Sequence, residues 1–149
     1  MKNYLLIAGG PDRKGVVFGL TGLLKRHGFN IEDSSMTMLR GTFSMIMLLT
    51  KDGKVNEALF EKDACGFMNS YQMSLEIREV DASRMKEKRG REAFLISISG
   101  ADRPGIVNEI SGKLFKAGVN ITGLETKVPR EKSPTPTTCS WKLTFPLKK

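Results

Sequence analysis

Only two cysteines occur in the 149 residues, Cys65 and Cys139, and neither has a histidine or a second cysteine nearby. That excludes a disulfide framework and a zinc site of ordinary spacing. The single histidine, His27, sits at the end of a predicted helix with no visible partner. No nucleophile–base pattern, paired-carboxylate motif or metal spacing accompanies it, so a non-enzyme without a cofactor is expected. Long apolar runs are missing as well. The longest, around Phe43 to Leu49, is too short to span a membrane. The start, Met1 to Ala8, has a basic residue and a short apolar run. That run is too short for a signal-peptide core and leads straight into the first folded unit, so a cytoplasmic protein is expected.

What the chain does have is a segment that occurs twice, ninety positions apart. Gly10-Pro11-Asp12-Arg13-Lys14-Gly15-Val16-Val17 returns as Gly100-Ala101-Asp102-Arg103-Pro104-Gly105-Ile106-Val107. The register then holds without a gap: Gly22 falls on Gly112, Leu24 on Leu114, Gly28 on Gly118, and Asn30-Ile31 on Asn120-Ile121. Two copies of one supersecondary unit account for this.

The first unit reads as a strand at Tyr4 to Ala8, a loop from Gly9 to Gly15, and a helix striped by Val16, Val17, Leu20, Leu23 and Leu24. Lys25, Arg26 and His27 suit the negative end of that helix, and Gly28 stops it. A strand at Ile31 to Leu39, a turn at Arg40-Gly41-Thr42 and a strand at Phe43 to Thr50 follow. Val55, Leu59 and Phe67 mark a second helix to about Asn69, and Met73 to Arg78 a fourth strand. Phe43, Met45, Met47 and Leu49 are expected in the core. The order β-α-β-β-α-β is the ferredoxin-like α+β arrangement, an antiparallel sheet with two helices on one face.

The expected domains are 1–80 and 93–149, joined by a charged linker at 81–92. The second domain reads β-α-β-β: a strand at Ala93 to Ser99, a helix striped by Ile106, Val107, Ile110 and Leu114, a strand at Asn120 to Val128, a proline-bearing loop from Pro129 to Cys139, and a strand carrying Trp141, Leu143 and Phe145. Its second helix and fourth strand are absent. That predicts an open strand edge and uncovered apolar sheet surface, and therefore a truncated version of a longer protein or cover from elsewhere in an assembly.

The repeated loop leads a strand into a helix. Helical N–H groups at such a start lack intrahelical partners and carry partial positive charge, so a carboxylate can sit there. Gly15 and Gly105 allow close approach to the backbone. Asp12 and Asp102 can cap the helix or accept from an ammonium group, and Asn30 and Asn120 offer a donor and an acceptor. Together these groups can hold a free α-amino acid. They also read as an ordinary helix cap and turn, with Gly28-Phe29-Asn30 a turn for backbone reasons alone.

The pattern Gly-x-Asp-Arg-x-Gly, an apolar helix, Gly-x-Asn-Ile and a strand resembles an ACT domain. Two in tandem resemble the glycine cleavage system repressor family of bacterial ACT proteins, whose second domain has an extended hairpin similar to Pro129 to Cys139. The resemblance implies sensing of amino acids or similar small molecules between paired units, with ligand loops at Gly10, Asp12, Arg13 and Gly15 and at Gly100, Asp102, Arg103 and Gly105, and with Asn30 and Asn120 at the following strands. Lys14 departs from the usual proline, which Pro104 keeps. A homodimer or larger assembly and a transcription-factor partner are expected.

Two other readings compete. The domains can be assembly modules without a ligand. Alternatively the fold can bind nucleic acid, since RNA-recognition motifs share the element order and Arg40-Gly41-Thr42-Phe43 resembles the start of one. The formal net charge of +8 permits this. Its excess, however, lies in Arg84 to Arg91 and in Lys142, Lys148 and Lys149, and Met45 and Met47 hold the later aromatic positions. The loop is not a nucleotide-binding P-loop, because Val16-Val17 stands where Lys and Ser or Thr are required.

Overall fold

The computed structural model describes residues 1–81, 92–100, 103–127 and 137–145. The chain divides into two compact units, Met1–Lys86 and Glu87–Lys149. Unit 1 runs β1 (Lys2–Pro11), α1 (Val16–Arg26), β2 (Asn30–Leu39), β3 (Thr42–Lys51), α2 (Glu57–Tyr71) and β4 (Ser74–Val80). Unit 2 runs β5 (Glu92–Gly100), α3 (Ile106–Lys116), β6 (Asn120–Lys127) and β7 (Thr137–Phe145). The first sheet has the order β2-β3-β1-β4 and the second β5-β7-β6. Both are antiparallel between neighbours, so β1 and β2, on either side of β3, run parallel.

The first helix of each unit, α1 and α3, ends at the glycine that the sequence suggested. Gly28 and Gly118 take φ of 70° and 71°, and the next residue's N–H reaches back to a carbonyl in the last turn, Phe29 to Leu24 and Val119 to Leu114, both at 3.0 Å. This Schellman arrangement satisfies orphan carbonyls at a position where a side chain is strained. The β2–β3 hairpin turns on Arg40 and Gly41, both at positive φ, the twist that joins antiparallel strands tightly.

The core of unit 1 lies between sheet and helices. Tyr4, Leu6 and Ala8 of β1 and Phe43, Met45, Met47 and Leu49 of β3 point to one face. They meet Val16, Leu20, Leu23 and Leu24 of α1 and Phe60, Ala64 and Phe67 of α2. Leu6, Leu20, Leu23 and Leu49 are wholly buried, and each such side chain contributes about 1.5–3 kcal/mol. In unit 2 only Val119 is buried among the described side chains, with Ile98, Val107, Ile110, Leu114 and Ile121 half-buried around it.

Several expectations need correction. β1 extends through Gly9 and Gly10 to Pro11, so the loop is shorter than Gly9 to Gly15. Here a Cβ on Gly10 would lie 2.8 Å from the Gln72 carbonyl oxygen, and glycine lets the strand run close under that turn. Helix α2 reaches Tyr71, Glu92 belongs to β5, and β7 begins at Thr137 inside the expected loop. The rest of that loop and most of the 81–92 segment lie outside the described residues. His27 is not without a partner: its Nε2 is 2.9 Å from Asp63 Oδ2 on α2, and its ring meets Phe60 edge-on.

Candidate functional site

The two helix starts have the same backbone among the described residues. Gly15 and Gly105 are the N-cap residues, with φ of 89° and 87°. Neither helix has a side-chain cap, so Asp12 does not cap α1; the glycine between them turns the chain instead. Val16 N–H donates to the Arg13 carbonyl at 3.2 Å, and Ile106 N–H to that of Arg103 at 3.4 Å. The next N–H bonds are those of Gly19 to Gly15 and Glu109 to Gly105. Among the described residues, the N–H groups of Val17, Phe18, Val107 and Asn108 therefore have no backbone acceptor, the opening that suits an anion.

The motif side chains divide in their roles. Asp12 is exposed, and its backbone N–H donates to the Gly41 carbonyl at 2.8 Å, fixing the loop to the β2–β3 turn. Arg13 donates to Gln72 Oε1, which ties the loop to the end of α2. Arg103 donates instead to Glu109 Oε2 at 2.5 Å on its own helix. The guanidinium of each repeat is thus held by a different structural partner. Asp102 lies outside the described residues. Gly100 ends β5.

Asn30 and Asn120 stand apart from these loops within their own units. Asn30 pairs with Thr50, which pairs with Asn3, at one end of the sheet; Gly10 pairs with Phe43 at the other. Likewise Asn120 pairs with Thr144, opposite Ala93, while Gly100 pairs with Thr137. Seven strand residues separate the two levels, about 23 Å. Asn30 donates to Glu32 Oε1 at 2.9 Å, and Thr50 donates to the same oxygen at 2.8 Å.

Tyr71 and Gln72 were missed as neighbours of the first loop. Tyr71 Oη lies 3.6 Å from where a Cβ of Gly15 would stand, and its ring lies 2.7 Å from that of Gly19. A glycine in mid-helix was the available signal, since it marks a close approach. The helix-free face of sheet 1 carries Asn3, Leu5, Ile7, Ser44, Ile46 and Leu48, with Phe43 on the buried side. It therefore has no aromatic on β1 or β3 to stack a base, which removes the structural basis of the RNA reading. No helix among the described residues is long and apolar enough to cross a membrane, and no group of three metal-ligating side chains occurs among them.

Two ferredoxin-like units, each with a glycine-turned strand-to-helix loop whose first helical amides are open, define a class of small α+β binding modules. The chain belongs to the ACT domain family, whose model matches residues 3–76 and 92–132. A UPF0237 protein of Methanopyrus kandleri is 50% identical over 40 residues, which cover 27% of this chain and 44% of that protein. One from Clostridium perfringens is 29% identical over 83 residues, 52% of this chain and 91% of the relative. The chain thus spans under half the length of the Methanopyrus relative. Among solved structures, an unknown protein from Galdieria sulphuraria matches with a TM-score of 0.74 and 24% identity over 97% of this chain and 82% of that one. A candidate glycine cleavage system transcriptional repressor matches with a TM-score of 0.69 and 14% identity over 97% and 80%.

Proposed function

We propose that the chain is a regulatory sensor of a free amino acid or similar small zwitterion, bound where two ACT units meet. In this reading 1–80 and 92–149 act as the domains and the charged segment between them joins them. The observation that carries it is the open pair of amides at each helix start, with the asparagines at the far end of the same unit. A ligand carboxylate takes the amides of one unit. Its ammonium meets Asp12 or Asp102 on that loop and the asparagine of the other unit. Pairing units side by side with their strands reversed brings one unit's loop beside the other's asparagine.

The exposed face of unit 1 supports such pairing. Every residue of the edge strand β2 is exposed, including Ile31, Met36, Met38 and Leu39, and Phe18 of α1 is 83% exposed. An edge that long and apolar is ordinarily covered by a partner. The same exposed edge favours the second reading, an assembly module without a ligand. In either case a homodimer or larger assembly in the cytoplasm contacts a regulatory partner such as a transcription factor.

Thermal shift against the twenty amino acids separates the two. A ligand at a hundred times its Kd stabilises by about 2.7 kcal/mol. Asp12→Ala and Asn30→Ala should each weaken binding although they lie far apart in one unit. Binding that depends on Asp12 alone overturns the site shared between units, and no response at millimolar concentrations overturns the sensor reading.

A further inference from the structure

An antiparallel sheet with helices on one face and water on the other alternates apolar with polar residues along each strand. The two central strands of unit 1 depart from that rule. β1 contains Tyr4-Leu5-Leu6-Ile7-Ala8 and β3 contains Met45-Ile46-Met47-Leu48-Leu49, apolar at every position. Continuous apolar runs belong to strands covered on both sides. Tyr4, Leu6, Ala8, Met45, Met47 and Leu49 take the helix side and are buried there. Leu5, Ile7, Ile46 and Leu48 take the other side, where Ile7 and Ile46 are 38% and 49% exposed. The fold itself does not require apolar residues there. Ninety positions on, Leu95 repeats Leu5, but Ser97 stands in the place of Ile7. Their register partners on β7 are Lys142 and Ser140, where unit 1 has Leu48 and Ile46.

The strand register fixes what surrounds these four side chains, because directly paired residues share a face. One row across the sheet is Asp33, Leu48, Leu5 and Arg78, and the next is Ser35, Ile46, Ile7 and Glu76. Each row is apolar at its centre and polar at both ends. Asp33, Glu76 and Arg78 are exposed, and among the described residues none of them is in a salt bridge. Aligned packing of two such faces leaves two directions for a two-fold axis, along the strands or across them. An axis along the strands reverses the order of the facing sheet. Leu5 then meets Leu48 of the second copy, Ile7 meets Ile46, and Arg78 meets Asp33. An axis across the strands sets each strand over its own copy and exchanges the rows. Leu5 then meets Ile7, Leu48 meets Ile46, and Arg78 meets Glu76. Either way apolar faces apolar and the cation faces a carboxylate, so the surface is complementary to itself. Ten-residue strands about 33 Å long, four of them about 4.8 Å apart, make a face of about 600 Å². Two copies would bury about 1,200 Å², the lower end of a specific interface.

We propose that the helix-free face of unit 1 packs against the same face of a second copy of this chain, with Leu5, Ile7, Ile46 and Leu48 at the centre and Arg78–carboxylate pairs at the margins. The contact uses a face of the sheet, not the β2 edge, and it stands whether or not the repeated loops hold an amino acid. Sedimentation equilibrium of the full chain tests it, with circular dichroism to verify folding. The natural sequence should self-associate at micromolar concentration. Ile46→Lys, at a half-exposed position, should weaken association at least about tenfold. Arg78→Glu, at an exposed one, should weaken it several-fold. Adding Asp33→Arg to Arg78→Glu should restore association if the axis runs along the strands, and adding Glu76→Arg should do so if it runs across them. A dimer formed through the β2 edge alone would be indifferent to Ile46→Lys and Arg78→Glu. Association unchanged in both single variants, a loss in Arg78→Glu that neither reversal restores, or a chain that stays monomeric at millimolar concentration would each overturn the proposal.

Discussion

Units 1 and 2 share a backbone but not a core. From the helix start to the opening of the second strand, the glycine turns, helix ends and hydrogen bonds of the described residues coincide at an offset of ninety, down to the irregularity after Ile31 and after Ile121. Burial then diverges. Tyr4 and Leu6 are 9% and 0% exposed, and their counterparts Phe94 and Ile96 are 47% and 37%. The difference is α2 and β4, which unit 1 adds and the described part of unit 2 does not show. Local sequence therefore sets where strands and helices begin and end, and long-range cover sets what they contribute to stability.

The sharpest test exchanges equivalent core positions. Leu20→Ala removes a fully buried side chain and should destabilise unit 1 by about 3 kcal/mol. Ile110→Ala, at the half-buried equivalent, should cost about 1 kcal/mol. Hydrogen exchange reads each unit separately, and Trp141, the sole tryptophan, reports on unit 2 by fluorescence. Equal losses would mean that unit 2 is covered in solution. Next in size is Gly19→Ala. Its Cβ would stand 2.7 Å from the Tyr71 ring, so α1 and α2 must separate, at about 1–3 kcal/mol. The equivalent position in unit 2 is Glu109, exposed, and Glu109→Ala should leave the packing of α3 unchanged.

Why some of this was legible and some was not follows from the range of each cause. Gly28 and Gly118, the helix stripes and the alternation of Phe43 to Leu49 act within a few residues, so periodicity and turn chemistry reveal them. Gly10 and Gly19 are glycines because Met73 and Tyr71, more than fifty residues on, pack against them. A mid-helix glycine signals a close approach at Gly19, but nothing near either position names the partner. The partners of His27 and Arg13, Asp63 and Gln72, lie far along the chain and are hidden for the same reason. The site was half legible. Residue types along the loop suggest an anion and an ammonium, but a β-α-β unit with parallel strands puts the start of β2 at the opposite end from the close of β1. Resemblance named the residues of the candidate site without showing that one unit separates them.

The loop glycines sharpen the comparison from the other side, since their cause is local. Gly15→Ala and Gly105→Ala force an L side chain into the left-handed region, at about 1–2 kcal/mol each. The two costs should agree, because Gly105 has open space and Gly15 meets Tyr71 Oη only at van der Waals distance. A much larger loss at Gly15, read by urea denaturation, would show that α2 also constrains the first loop.

The smallest expected effect is in pH dependence, and the units should differ in which side of neutrality they respond to. In unit 2 the Glu109 carboxyl is held below its ordinary value of 4.5, first by the hydrogen bond from Lys113, one helical turn on, and then by that from Arg103. A carboxyl depressed in the folded state favours folding above its unfolded value, and that contribution is lost as pH falls through the folded one. In unit 1, Gly19 occupies this position and has nothing to titrate. There Lys2 is raised above 10.5 by its hydrogen bond to Glu79, so its contribution is complete below 10.5 and is lost as pH rises through the folded value. Carboxyl NMR should place the Glu109 midpoint below 4.5, and Lys113→Ala should return it toward 4.5 further than Arg103→Ala does. The reverse order would make Arg103 the principal partner and tie Glu109 to the loop more closely than to its own helix.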